Sequence, residues 1–248
     1  MSVLEAKGIS KSFGNEKIIE NVNISLKKGE IAALLGVSGS GKTTLFNIIA
    51  GLSDPDCGEV LLDGENITGV PGKVSYMLQK DLLLPHKTIL DNVSLPLIIR
   101  GIKKEEARKT ASGQFADFGL SGTEKKFPFQ LSGGMKQRAA LLRTYLFSEK
   151  VALLDEPFSA LDMLTKASVH GWYLGIMDKI KLSTLFITHD IDEAILLSDK
   201  VYILSGKPAT IIKEIVIDEK KPRSRDFTVS ESFLSYKKQI TQCLSGTN

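Results

Sequence analysis

The chain has 248 residues, 42% of them hydrophobic and 25% charged, the balance of a globular protein with one large α/β domain or two modest ones. A formal net charge of +3 is too small to argue for nucleic acid, and the two cysteines, Cys57 and Cys243, follow no metal-ligand spacing and fit free thiols in a reducing compartment. No apolar run approaches the roughly 18 residues of a membrane span, and Glu5, Lys7 and Lys11 interrupt any signal-peptide core, so neither a span nor a leader is expected.

Residues 3–12 and 18–26 alternate apolar and polar side chains around Phe13-Gly14-Asn15, which predicts an antiparallel hairpin. Residues 31–35, all apolar, predict a short buried strand. Next comes Gly36-Val37-Ser38-Gly39-Ser40-Gly41-Lys42-Thr43, a match to G-x-x-x-x-G-K-[ST] at every fixed position, and then a helix from 44 to 50 ended by Gly51. A strand feeding a glycine turn and a helix N-terminus makes a phosphate cradle: successive backbone N–H groups and the helix dipole face anionic oxygens. Lys42 can reach the β- and γ-phosphates, and the Thr43 hydroxyl can ligate Mg²⁺. Residues 59–62 and 65–67 flank Asp63-Gly64, a second hairpin signal.

From about 85 to 146 apolar residues recur at helical spacing, punctuated by Gly101, Gly119, Gly122 and Pro128, and predict a helical insert. Inside it, Leu131-Ser132-Gly133-Gly134-Met135-Lys136-Gln137-Arg138 opens a helix. Ser132 can cap it, and Gly133-Gly134 expose backbone N–H groups, a second anion site in a chain with one cradle. Residues 151–154 form an apolar strand ending in Asp155 and Glu156, where a phosphate-cradle enzyme places its metal carboxylate and its water-polarising base. A helix over 162–181, a strand over 184–188, a helix over 191–197 and strands over 201–204 and 209–217 follow. Such alternation predicts a largely parallel sheet covered on both faces. Residues 222–226 form a linker, and 230–244 an amphipathic helix capped by Ser230. The basic runs Lys103-Lys104 with Arg108-Lys109, and Lys220-Lys221 with Arg223 and Arg225, are read as solvated faces.

Taken together, these strings resemble the ATP-binding subunit of an ABC transporter over nearly the whole length. The cradle looks like Walker A, the Leu154-Asp155-Glu156 region like Walker B, and Leu131-Ser132-Gly133-Gly134 like the family signature. Gln79 matches the Q-loop glutamine, Ser159-Ala160-Leu161-Asp162 the D-loop, His189 the switch histidine and Phe13 the adenine-stacking aromatic. The resemblance implies an α/β P-loop cassette occupying 1–248, with a mixed, largely parallel sheet core, an N-terminal antiparallel β part, a helical subdomain near 85–146 and a C-terminal linker and helix over 222–248.

It further implies ATP and Mg²⁺ as ligands. Phe13, residues Gly36 to Thr43, Thr44, Gln79, Asp155, Asp162, Ser132, Gly133, Gly134 and Gln137 contact nucleotide, with Thr43, Gln79 and Asp155 at the metal, and Glu156 and His189 are catalytic. Two copies face each other head to tail, so that Ser132, Gly133 and Gly134 of one close the nucleotide on the other. Permease subunits are separate membrane proteins, a solute-binding protein acts indirectly, and the chain lies peripherally on the cytoplasmic face of the membrane. The segment 79–85 either receives the permease or is core of the insert. The segment 79–101 and the late segment 206–226, with its basic, proline-containing tail over 220–226, look like the nitrate, sulfonate and taurine importer group, which includes systems for thiamine pyrimidine precursors. A non-transport ABC ATPase and an exporter subunit are the alternatives. Arg143 to Phe147 departs from the usual alanine-rich run, and Gly171 and Gly175 each cost the following helix about 1 kcal/mol relative to alanine.

Overall fold

The computed structural model describes residues 2–148, 150–159, 161–221, 223 and 225–245. Ala160 of the 159–162 string, and Pro222 and Ser224 of the expected linker, lie outside the described residues. Strands β1 (Ser2–Phe13) and β2 (Glu16–Lys27) pair antiparallel, with Leu4 opposite Leu26 and Ala6 opposite Ile24, and these four residues turn to the buried face. On the other edge of β1 lies β4 (Cys57–Leu62), which turns through Asp63 (φ 51°) and Gly64 (φ 81°) into β5 (Glu65–Asn66). Two successive positive φ angles give the turn twist that a two-residue hairpin needs.

The parallel block has β3 (Ile31–Leu35) at its centre, between β8 (Ser183–Thr188) and β9 (Lys200–Gly206). Beyond β8 lie β7 (Val151–Asp155) and β6 (Ser75–Met77), also parallel. Strand β10 (Ala209–Val216) runs antiparallel to β9 and meets β2 in parallel at Ala209 and Ile19. That contact joins the antiparallel and parallel blocks into one sheet of order β5-β4-β1-β2-β10-β9-β3-β8-β7-β6.

The central strands are buried on both faces, as parallel strands under crossover helices are. Ile31, Ala33 and Leu35 enter a core shared with helices α2 (Ile89–Ile99), α3 (Lys104–Gly113), α4 (Gly133–Phe147), α5 (Met163–Ile180), α6 (Ile191–Leu197) and α7 (Glu231–Ser245). Ala32 and Leu34 enter a second core with α1 (Lys42–Ile49) and the hairpin strands. Thr88 caps α2, accepting from the Asp91 amide at 3.2 Å while donating to the Asp91 carboxylate at 2.8 Å. Among the described residues no helix is long and apolar enough to cross a membrane.

One expectation fails in the tail. Arg223 is only 7% exposed, and its guanidinium donates to the carbonyls of Ile195, Leu196 and Ser198 at the C-terminal end of α6 and to those of Ile217 and Glu219. Lys221 pairs with Asp199 at 2.7 Å, and the same Asp199 oxygen accepts from the Ile31 amide. A planar cation with five donors can satisfy several converging carbonyls at once, so Arg223, with Lys221 beside it, closes a helix end instead of facing water, while Lys220 is exposed as expected. The other run is solvated as expected, with Lys103, Lys104 and Lys109 exposed.

Candidate functional site

Strand β3 leads into the cradle and α1 leaves it, as the motif predicts. Gly41 takes the N-cap position in the left-handed region (φ 85°), and a Cβ there would lie 2.7 Å from Ile19 Cγ2 and 2.9 Å from Ile18 Cγ2. A Cβ on Gly36 would lie 2.5 Å from the Leu204 carbonyl oxygen. Only glycine fits at either place. No side chain caps α1 and no acid stands in its first turn, so its leading N–H groups stay available to an anion. The Lys42 ammonium is folded back onto the carbonyls of Gly36 (2.8 Å) and Val37 (2.7 Å). Burial lowers its pKa, opposed by the charges of Glu156 and Asp155. The buried Ser40 hydroxyl has no hydrogen-bond partner within the protein. Uncapped N–H groups at the start of α1, in a hollow walled by Gly39 and Gly41, are what a phosphate group fits.

Beside the cradle, Asp155 ends β7. The hydroxyls of Thr43 (3.4 Å) and Tyr76 (3.5 Å) both point at its Oδ2. Burial pushes the Asp155 pKa up, and the neighbouring charge of Glu156 adds to the effect. A cation placed here would relieve both. A hydroxyl and a carboxylate are hard oxygen donors, the type Mg²⁺ takes when phosphate oxygens complete its shell. Among the described residues no group of three or more His, Cys, Asp and Glu side chains forms a self-sufficient metal cage.

Glu156 sits at φ 45°, an uncommon conformation for a non-glycine residue. Its amide bonds the Ile187 carbonyl, while Ser159 donates to the Glu156 carbonyl from both amide (3.2 Å) and hydroxyl (3.0 Å). This turn lifts the Glu156 carboxylate out of the strand and into the cleft. There Gln79 Nε2 donates to it at 3.1 Å, and His189 Nδ1 stands 3.4 Å from its other oxygen. The three residues come from the ends of β6, β7 and β8, so parallel pairing brings them together. The cleft has a volume of about 760 Å³, and its wall also includes Phe13, Ile18 and Thr44. Phe13 is 56% exposed at the end of β1, with the Lys11 ammonium 5.7 Å from its ring centre.

Other expected residues stand elsewhere. Ser132 caps α4, accepting from the Met135 amide at 3.3 Å, and with Gly133 it faces solvent; neither they nor Gly134 line the cleft. Gly134 packs on α5, where a Cβ would lie 3.2 Å from methyl groups of both Thr165 and Val169. Asp162 accepts from the Thr165 amide at 3.0 Å at the start of α5. Gln137 is buried beside Met77, Phe158 and Trp172, one turn into α4, and does not reach the cleft. In this structure Gln79 is committed to Glu156 and not to Thr43 or Asp155. Of the 82–85 stretch, Leu83 enters the core and Leu82 is exposed.

Sequence reading missed Tyr76, whose pKa is raised by burial and by the Asp155 charge. Its alternation with Ser75 and Met77 was the available signal, since period two sends it to the cradle side of β6. Arg143, marked in the sequence only as a departure from the usual alanine-rich run, has a definite role: its guanidinium donates to the Asp81 and Leu82 carbonyls (2.5 and 2.8 Å) and so ties α4 to the chain after Gln79.

A parallel sheet whose central strand runs into a glycine cradle, with a carboxylate ending a strand of the same sheet beside it, defines a P-loop nucleotide-hydrolysing protein. Comparison with known proteins narrows the class. The sequence profile described as ABC transporter matches residues 19–159. The formylaminopyrimidine import ATP-binding protein ThiZ of Halalkalibacterium halodurans is 45% identical over 229 residues, covering 92% of this chain and 90% of that protein. The nitrate import ATP-binding protein NrtD of Synechocystis sp. is 37% identical over 253 residues, covering 98% and 95%. A dimeric ATP-binding cassette solved in a post-hydrolysis state with ADP and Pi superimposes with a TM-score of 0.72 at 29% identity, covering 88% of this chain and all of that one. The chain belongs to the ABC transporter family, as an ATP-binding and ATP-hydrolysing cassette.

Proposed function

We propose that this cassette powers an importer of a small anionic or heterocyclic solute. Two copies close head to tail on ATP, bound peripherally at the cytoplasmic face of the membrane to permease subunits that a solute-binding protein supplies. The observation that carries the reading is the division of anion sites: the cradle and Glu156 share one cleft, while Ser132 and Gly133 at the start of α4 lie outside its wall and are exposed to solvent. A single chain thus offers two halves of different sites, which a second copy completes. The solute class rests on the pyrimidine and nitrate importers to which the chain is similar.

In this reading Lys42 and the amides at the start of α1 hold the β- and γ-phosphates, and Phe13 takes the adenine. Thr43 and Asp155 hold the Mg²⁺ that enters with ATP, whose charge offsets that of the phosphate oxygens. Glu156 orients the attacking water and accepts its proton as the water oxygen bonds to the γ-phosphorus and the β–γ bridging oxygen leaves with ADP. His189 steadies the γ-phosphate side, and Gln79 lets go of Glu156 to sense the phosphate. Asp162, at the exposed start of α5, links the two sites. The permease is received by an apolar groove of about 450 Å³ walled by Leu52, Val74, Leu82, Ile99 and Phe147, with Arg143 bracing the segment after Gln79. Glu156→Gln should keep ATP binding, lose at least 100-fold in turnover and accumulate an ATP-dependent dimer on size exclusion. Hydrolysis at the parent rate would refute the assignment of the base.

A further inference from the structure

His189 reaches into the cleft with a largely exposed side chain, yet the residues on either side of it are held tightly. Thr188 donates its hydroxyl to Glu193 Oε2 at 2.7 Å, and the same hydroxyl accepts from the Asp190 amide at 3.0 Å. The Asp190 carboxylate caps α6, accepting from the amides of Asp192 and Glu193 at 2.9 and 3.1 Å. Glu193 is 5% exposed and belongs to no part of the phosphate site. Lys166, reaching across from α5, stands 2.7 Å from Glu193 Oε1 and 3.4 Å from Asp190 Oδ2. His170, one turn further along α5, places Nε2 3.4 Å from the same Glu193 oxygen and its ring edge-on to Phe158.

Burial alone would raise the Glu193 pKa, but its contacts with His170, Lys166 and Thr188 overcome this and hold it down at about 2. A buried carboxylate that pairs with a lysine and accepts from a hydroxyl holds both partners in place, since losing either leaves a charge or an acceptor unsatisfied. The lysine comes from the helix whose preceding residue, Thr165, packs on Gly134.

We propose that Lys166 and Glu193 are positioning residues for hydrolysis: through Thr188 and Asp190 they hold the backbone of residue 189 so that the imidazole meets the γ-phosphate side of the cleft. This rests on the reading of His189 given above. Neither residue touches the cleft, so their loss should slow the chemical step without weakening nucleotide binding.

The test uses the full chain and compares Thr188→Val, Thr188→Ser, Lys166→Met and His189→Ala. Each is checked for folding by circular dichroism, for ATPase kcat and KM, and for affinity toward a fluorescent ADP analogue. Thr188→Val is isosteric and removes only the hydroxyl, while Thr188→Ser keeps it. The expected result is a fall of at least tenfold in kcat for Thr188→Val and Lys166→Met, with ADP affinity within twofold of the parent, and recovery to within threefold in Thr188→Ser. Should Thr188→Val not fold, Lys166→Met, a partly exposed site, decides the matter. Parental kcat in folded Lys166→Met or Thr188→Val overturns the proposal, as does a parallel loss of ADP affinity or the absence of rescue by serine. If His189→Ala hydrolyses ATP at the parental rate, the reading of His189 falls. If it collapses while Lys166→Met and Thr188→Val keep the parental rate, only the anchor proposal falls.

Discussion

Replacing Arg223 by methionine removes a buried guanidinium and keeps most of its volume. Five backbone carbonyls then lose their donor: Ile195, Leu196 and Ser198 around the end of α6, and Ile217 and Glu219 in the chain that follows β10. Hydrogen bonds from a charged donor contribute about 1.5–3 kcal/mol each, and leaving buried acceptors unpaired adds to the loss. Water will reach some of these carbonyls, and the buried cation's own desolvation is relieved, so the net cost should be about 3–5 kcal/mol. For a chain of this size that corresponds to a fall of roughly 10 °C in melting temperature. Urea unfolding followed by far-UV circular dichroism gives the free energy directly, with exposed Lys220→Ala as a control expected within about 0.5 kcal/mol of the parent. Arg223→Lys should recover only part, because one ammonium has three donors. A loss below about 1 kcal/mol for Arg223→Met would refute the view that this residue closes α6.

Lys42→Met should weaken nucleotide binding by about 100-fold, a charge-assisted phosphate contact of nearly 3 kcal/mol, and a change under threefold in a fluorescent-nucleotide titration would count against the cradle. Arg143→Met should free the segment after Gln79, raising its amide hydrogen exchange by about tenfold while β3 stays protected; unchanged exchange at Asp81 to Leu83 would contradict the clamp. Glu193 titrates at about 2 in the fold against 4.5 for the free side chain. Its depressed pKa means that its contribution is fully present above about pH 5 and is lost as pH falls toward 2, a difference of about 3 kcal/mol. Stability of the parent should therefore fall more steeply over that window than that of Glu193→Gln, and parallel curves would show that Glu193 is not held charged.

The elements whose cause is local were legible. The hairpins follow from period-two alternation and glycine turns, and the buried strands from short apolar runs bounded by loops. The cradle was legible because its chemistry needs contiguous residues. What stayed hidden depends on distant partners. The tail around Arg223 reads as solvent-facing because a charge run usually is, and nothing near it in sequence announces the open carbonyls of α6. The short parallel pairing of Ala209 with Ile19 that makes two blocks one sheet has no local signature. Glu193 looks like an ordinary first-turn acid of α6; only the arrival of Lys166 and His170 from another helix makes it the centre of a network. Gln137 carries a polar side chain within the signature helix, but the 3.6-residue turn sends it inward.

The two cores on either side of the central strands also limit how this protein can move. Along β3 and β8 successive side chains enter opposite cores, so sliding either strand by one residue would exchange every contact on both sides at once. Such strands cannot serve as ratchets. They act as a fixed ruler whose upper edge sets Gly36, Asp155 and His189 at constant spacing. Any stroke the cassette makes must then be taken up by the helices and by the loops leaving that edge, with the sheet as the stationary part of the machine.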